Sequence, residues 1–454
     1  MIRKFLLLGL VVAQLTTSCS SDNADEVEVE VKSETLSDQI AELIKKPYSE
    51  LSPAEQKVKL EAEANAMLTQ MDKSKTSGAV EAIQNLGKLL DINSVDIFDG
   101  KNNNEIAEIL NVSGVYGIYT WNSTNKIWVK TASTTELKFV FPAKISSITN
   151  NATLSSKAVS SDIKVKLIDT YGEWGYNPST DEYTQNPSIN DEFYLPTSVD
   201  AVLTIDNVQA ATFATKASYS NGKEVPNESS FKMILNDGYT FEMSGIKGEP
   251  NSAQSSFTYN DKNLVKFTAG STAKIDALLE DDALVSYRGT ANGLVELMDN
   301  FVIVVDTDIA GLANDEADLE KTLVQPAYNS STYYAQINAY NKAYSEAIVK
   351  LQAKNTKMIL VSKKDGTKIA DLVQRSEEGY SYTNYSVWVN DNSTEGGYWN
   401  WNSNNNTGTL VQQYDEVLYL KFNDNTQVEM SAYFSTGFDD LEKKFEDFLK
   451  SFER

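Results

Sequence analysis

The chain has 454 residues, a formal charge of −24, no histidine and one cysteine. An acidic excess of this size excludes recognition of a phosphate backbone, which needs clustered Lys and Arg. It also argues against electrostatic attachment to anionic lipid. Without His there is no Ser-His-Asp or Cys-His nucleophile and no His-ligated zinc, so the sequence predicts no catalytic residues, no bound metal and no cofactor. An enzyme would have to rely on carboxylates, Lys, Tyr or Ser, and a carboxylate-only hydrolase is the enzymatic alternative.

Met1-Ile2-Arg3-Lys4 is basic, Phe5 to Val12 is apolar, and Thr16-Thr17-Ser18 are small residues placed just before Cys19. That order is a secretory leader, and its apolar run is far shorter than the roughly 20 residues a membrane span requires. The segment resembles the bacterial lipobox, although Thr16 stands where that motif usually has Leu. The resemblance implies cleavage before Cys19 and acylation of its thiol. Loss of Arg3 and Lys4 with the leader takes the charge to −26. Residues 19–34 are polar and acidic, with Val-Glu alternation through Val31, and read as a flexible tether. Acidic residues close behind the cysteine resemble the surface-export signal of lipoproteins from the Bacteroidota.

Residues 35–92 carry helical periodicity. Leu36, Ile40, Leu43 and Ile44 form one stripe, then Ser52-Pro53-Ala54-Glu55 is a capping box with Pro at the first helical position. Leu60, Ala64, Met67, Leu68 and Met71 form a second stripe, and Val80, Ile83, Leu86 and Leu90 a third. From Val115 the period changes to two: 115–121 and 127–129 predict a hairpin, and Leu137–Phe141 a strand stopped by Pro142. Further strands are expected at 163–169, 200–206, 209–219, 230–236, 239–245, 255–260 and 264–268. Asn236-Asp237-Gly238 is a hairpin turn. The stretch 171–198 reads as a loop-like insert.

A short helix is expected near 274–283. Phe301-Val302-Ile303-Val304-Val305 suits a strand buried on both faces. Residues 332–354 predict a long helix with Ile337, Tyr340, Tyr344, Ile348 and Leu351 on one side, and strands follow at 357–362, 368–373, 383–389 and 416–422. Phe438–Phe452 predicts a closing helix, with Leu441, Phe445, Phe448, Leu449 and Phe452 apolar. The expected class is α+β: a leader (1–18), a tether (19–34), amphipathic helices (35–112), an antiparallel β domain (113–272) and a mixed α/β region (273–454). Asn236-Asp237 with Phe241-Glu242-Met243-Ser244 is echoed by Asn423-Asp424 with Val428-Glu429-Met430-Ser431 at the same spacing. A duplicated unit and recurrent hairpin chemistry would both produce this.

The lipobox, the tether, Gly117-Ile118-Tyr119-Thr120-Trp121-Asn122 and Glu136-Leu137-Lys138-Phe139-Val140-Phe141-Pro142 together resemble a family of uncharacterised surface lipoproteins of the Bacteroidota. Leu420-Lys421-Phe422-Asn423-Asp424 extends the likeness toward the C-terminus. It implies a location, lipid-anchored at the outer membrane and facing outward, and no activity or site residue.

Two aromatic segments are candidate ligand sites. In Gly396-Gly397-Tyr398-Trp399-Asn400-Trp401-Asn402, the rings of Trp399 and Trp401 suit the apolar faces of sugars, and Asn400 and Asn402 suit hydroxyls. The other reading is a strand whose Trp pair packs in the core. Trp174 and Tyr176, near Tyr183, are a second candidate with the same alternative. Asp306-Thr307-Asp308 begins like a calcium loop but has Ala310 and Ala317 where ligands are required. The expected function is non-enzymatic binding or scaffolding of a macromolecular partner at the cell surface. Capture of glycans for a polysaccharide-uptake system is the alternative.

Overall fold

Capping signals place the first helices. A computed structural model describes residues 35–434, apart from 75–76, 94, 96, 98–105, 169–173, 186–189, 221, 392–395 and 402–406. Cys19, the tether and the expected helix 438–452 lie outside the described residues. Helix α1 (Leu36–Ile44) starts at a Thr35–Asp38 capping box. Helix α2 (Pro53–Ser74) starts at the Ser52–Glu55 box, and Ser77 caps α3 (Gly78–Ile92). A short α4 (Ile106–Ile109) follows.

The β region begins with β1 (Gly117–Asn122), β2 (Ile127–Thr131), β3 (Leu137–Phe141) and β4 (Ala152–Ile168). Next come β5 (Trp174–Asn177), β6 (Glu182–Gln185), β7 (Asn190–Ile205), β8 (Val208–Ser218), β9 (Glu228–Leu235), β10 (Tyr239–Ile246), β11 (Asn251–Tyr259) and β12 (Lys262–Ser271). Helix α5 (Ile275–Glu280) and a 3-10 turn (Val285–Arg288) lead to β13 (Thr290–Leu297) and β14 (Phe301–Asp308). Helices α6 (Ile309–Thr322) and α7 (Tyr333–Asn355) precede β15 (Thr356–Ser362), β16 (Thr367–Asn384), β17 (Ser386–Val389) and β18 (Tyr398–Trp401). The described chain closes with β19 (Thr409–Lys421), β20 (Gln427–Glu429) and α8 (Met430–Tyr433).

The class is α+β with one large, mostly antiparallel sheet. Sixteen strands pair in the order β2-β1-β3-β4-β7-β8-β9-β10-β11-β12-β13-β14-β15-β16-β19-β20. Among the described strands of the sheet β1 and β3 are the pair that runs parallel, with β2 on the far side of β1. The sheet crosses residues 272–273, where the sequence pattern changes, without a break: β12 pairs β13 from Val265↔Leu297 to Ser271↔Ala291.

Tight turns gather at one end of the sheet. Asp206-Asn207, Asn260-Asp261 and Met298-Asp299 each place two successive residues at positive φ, the hairpin geometry that matches strand twist. Gly238 and Asn425 hold equivalent places in the two echoed turns, at φ 100° and 65°. The echo then ends: β10 runs on to Ile246, whereas the second copy turns into α8 at Met430.

Helices α2 and α3 close this turn end. Along α2, Pro53 O accepts from Tyr433 Oη, Lys59 pairs with Asp365, Glu63 accepts from Asn300, and Gln70 O accepts from Tyr239 Oη. Those contacts run from α8, just past β20, to β10. Helix α3 continues toward the first strands, with Asn85 Nδ2 donating to Pro142 O at 2.6 Å and Asn93 Oδ1 accepting from Trp128 N. From Pro53 to Gln70 a helix rises only about 25 Å, while nine strands laid flat occupy about 38 Å. Residues of α2 nonetheless reach the turn end of the sheet from β10 to the segment just past β20. One core joins Leu60, Met67, Ile83 and Leu86 of the helices to Phe139, Leu203, Phe257, Phe301 and Leu420 of the strands. Leu68 and Met71 side chains lie outside the described set.

The apolar run at 301–305 is covered on both faces, as its composition predicts. Phe301 and Ile303 join the main core, while Val302 and Val304 pack with Ile40, Leu36, Leu43 and Ile44 of α1 on the other face. Other expectations are corrected. The insert 171–198 is not loop-like: its described residues form the β5–β6 hairpin and the start of β7. Four-residue strands made of Trp, Gly, Tyr, Asn and polar residues carry no alternation to read. Strands at 290–297 and 409–415 also escaped the pattern, the first because its turn, Met298-Asp299, has no Gly or Asn signal.

Candidate functional site

The end of the sheet opposite the tight turns is built differently. There β4 and β7 are prolonged by β5–β6, and β16 and β19 by β17–β18, two hairpins outside the main sheet. Large aromatic side chains reach solvent on both. Trp174, Tyr176 and Tyr183 are exposed at 66%, 51% and 68%, and Tyr176 and Tyr183 pair across the hairpin with ring centres 5.2 Å apart. Asp181 accepts from Tyr176 Oη at 2.7 Å, and that bond to a carboxylate raises the phenol's proton affinity.

The two tryptophans expected as a pair part company. Trp399 is half-buried: its ring meets Tyr334 edge-on at 4.6 Å and Trp388 at 5.4 Å, and its Nε1 donates to Tyr328 O at 3.0 Å. Trp401, two residues on and on the same face of β18, is 67% exposed, whereas Trp399 packs with Tyr334 at the start of α7. Asn400 is exposed and Asn402 lies outside the described residues. The two hairpins form separate two-stranded sheets.

Gly397 makes the turn into β18 feasible. Its φ of 150° and the atoms around it leave no room for a Cβ, which would lie 2.3 Å from Val389 O and 2.6 Å from the Trp388 ring. Tyr328, Tyr333, Tyr334 and Trp388 complete the cluster and were not singled out from sequence. Tyr334 falls at the second position of α7, where the helical stripe has barely begun. Burial, followed by a hydrogen bond with Tyr328, pushes the Tyr334 phenol well above its ordinary range. Asn384 donates to its oxygen at 2.5 Å.

Helix α7 also finishes an edge. Strand β20 pairs with Tyr419, Leu420 and Lys421 of β19, and among the described residues no strand lies beside the rest of that edge. Asn338 donates to Leu410 O and accepts from Gln412 N, both at 2.8 Å, and Asn341 donates to Gln412 O at 2.8 Å. Two side-chain amides thus do the work of a strand, which blunts an edge open to pairing.

The acidic stretch at 306–318 serves the fold. Asp306 lies in the ladder opposite Lys357, Asp308 caps α6 through Gly311 N, and Asp315 is held by Lys354 and Asn355. Those donors lower the Asp315 pKa. Among the described residues no three of His, Cys, Asp or Glu converge as a metal site, and no helix is long and apolar enough to cross a membrane. No family model, curated protein or solved structure matches the chain.

Proposed function

We propose that the chain is a non-catalytic lipoprotein, anchored through Cys19 at the outer-membrane surface, that binds a macromolecular partner through the end of its sheet opposite the tight turns. The observation that carries this reading is the placement of exposed aromatics. Trp174, Tyr176 and Tyr183 on one hairpin and Tyr398 and Trp401 on the other stand in solvent at that end. The turn end is by contrast closed by α2 and α3. Exposed Trp and Tyr combine large contact area with few rotatable bonds, which is why they recur as binding anchors.

Photo-crosslinking on intact cells tests it. A photoreactive residue in place of Trp174 or Trp401 should yield a discrete adduct, and one in place of Val208 at the turn end should not. Adducts from Val208 alone, or from none of the three, would overturn the reading. Glycan capture is the second form of the proposal, favoured by exposed Trp401 beside exposed Asn400. In that case the Trp401 adduct contains carbohydrate, and Trp401→Ala weakens glycan binding by roughly 1–3 kcal/mol.

A further inference from the structure

We propose that the β17–β18 side of the binding end is a platform for an uncharged polysaccharide, whose sugars stack on Tyr380, Tyr382 and Trp401. This names a ligand class for that end and rests on the reading above. Charge is the first observation. Charged residues make up 23% of the chain, yet the stretches 322–341, 379–390 and 396–414 contain no Asp, Glu, Lys or Arg. The fold brings these three stretches together. Strands β16 and β19 pair from Ser381↔Gln412 to Asn384↔Thr409, and β17 pairs with β18 from Ser386↔Trp401 to Val389↔Tyr398. Trp399 donates to Tyr328 O, Asn384 to Tyr334 Oη, and Asn338 to Leu410 O. Segments remote in sequence thus join in an uncharged surface on a chain of net charge −24. An anionic polymer finds no Lys or Arg in them, and a cationic partner is drawn to carboxylates elsewhere. An uncharged, hydroxyl-rich chain meets neither obstacle.

The rings are the second observation. Tyr380 and Tyr382 alternate along β16 and so share a face. Their rings are near-parallel with centres 6.1 Å apart, and Tyr380 is 71% exposed. Tyr382 lies opposite Val411, which packs with Tyr334 and Ile337 of α7. The tyrosine pair therefore stands on the face of the β16–β19 ladder that meets the start of α7. Between the rings the exposed residues are Ser381 and Thr383 on β16 and Asn400 on β18. Ring faces take the apolar faces of sugars, while hydroxyls and amides donate and accept as sugar hydroxyls do. Protein-binding patches favour Met and Arg around such rings and are depleted in Ser.

Native electrophoresis through polysaccharide-containing gels tests the assignment, with the full chain carrying Cys19→Ser so that no acyl chain enters the assay. Dextran, amylopectin, mannan and galactan are the neutral probes, and polygalacturonate and chondroitin sulfate the acidic ones. At least one neutral gel should retard the chain, and neither acidic gel should. Tyr380→Ala and Trp401→Ala should each weaken that association about tenfold, and Tyr380→Phe, which keeps the ring, should retain most of it. Val208→Ala at the turn end should leave it unchanged. Melting curves of the ring variants should match the parent; where an Ala variant melts lower, the comparison of Tyr380→Phe with Tyr380→Ala at matched folded fraction decides. Retardation by acidic gels alone, by none, or to the same degree in both Ala variants overturns the proposal. No retardation together with a protein adduct at Trp401 would remove the polysaccharide and leave the binding end in place. Retardation that Val208→Ala alone abolishes would remove both.

Discussion

Trp399 and Trp401 show how little two neighbouring side chains of one type need share. Period-two geometry puts both on one face of β18, yet one ring lies against Tyr334 and Trp388 and the other stands in water. Their substitutions should separate accordingly. Trp399→Ala removes two ring contacts and a hydrogen bond and should lower folding stability by about 2–3 kcal/mol, less than the cost for a fully buried Trp. Trp401→Ala should change stability by no more than about 0.5 kcal/mol. Thermal melts of the two variants decide the matter without knowledge of a ligand. Equal shifts would mean that β18 does not sit on α7 as described. The aromatic motif was visible in sequence; which of its two rings is free was not, since that depends on where α7, some 65 residues earlier, begins.

At the scale of elements, the run Phe301–Val305 was the most informative signal in the chain. Five consecutive apolar residues require cover on both faces, and the second cover is α1, the first described helix. The helix stripe Leu36, Ile40, Leu43 and Ile44 and the strand were each legible, but nothing in either names the other. Their partnership carries a measurable stake. Ile40 is 3% exposed, and Ile40→Ala should destabilise the fold by about 3 kcal/mol. Glu42→Ala on the solvent side, whose ion pair with Lys45 is exposed on both partners, should change stability by less than about 0.5 kcal/mol. Denaturant melts of the two variants test this, and a neutral Ile40→Ala would show that α1 does not cover β14. Helix α7 has a comparable role at the other margin, where Asn338 and Asn341 replace a missing strand. The sequence presents those residues as ordinary polar positions on a helix.

For the molecule as a whole, the proposed anchoring and the proposed binding are separable. Sixteen residues from Cys19 to Glu34, polar and acidic in composition, precede the first described residue, and the described residues hold no spanning helix while the chain has no net positive charge. Cys19→Ser should therefore leave the melting temperature unchanged and move the protein from the membrane fraction to the soluble fraction, even in high salt. A Ser variant that still sediments with membranes would show a second attachment. Should the aromatic end supply that attachment, Trp174→Ala together with Trp401→Ala would abolish it.

Local chemistry in the sequence determined much of the secondary structure. Capping boxes and 3.6-residue stripes set the helices, and Asn, Asp and Gly set several hairpin turns. Alternation set most strands near those turns, because burial on one face imposes a period of two. The sole cysteine and the missing histidines bounded the chemistry before any fold was known. Only the tertiary structure decided that the strands on either side of residue 272 belong to one sheet, since strand pairing is a relation between segments and leaves no mark within either. The same holds for the aromatics. Exposure depends on what another segment covers, so the residues that face solvent could be named as candidates from sequence but distinguished from core only in three dimensions.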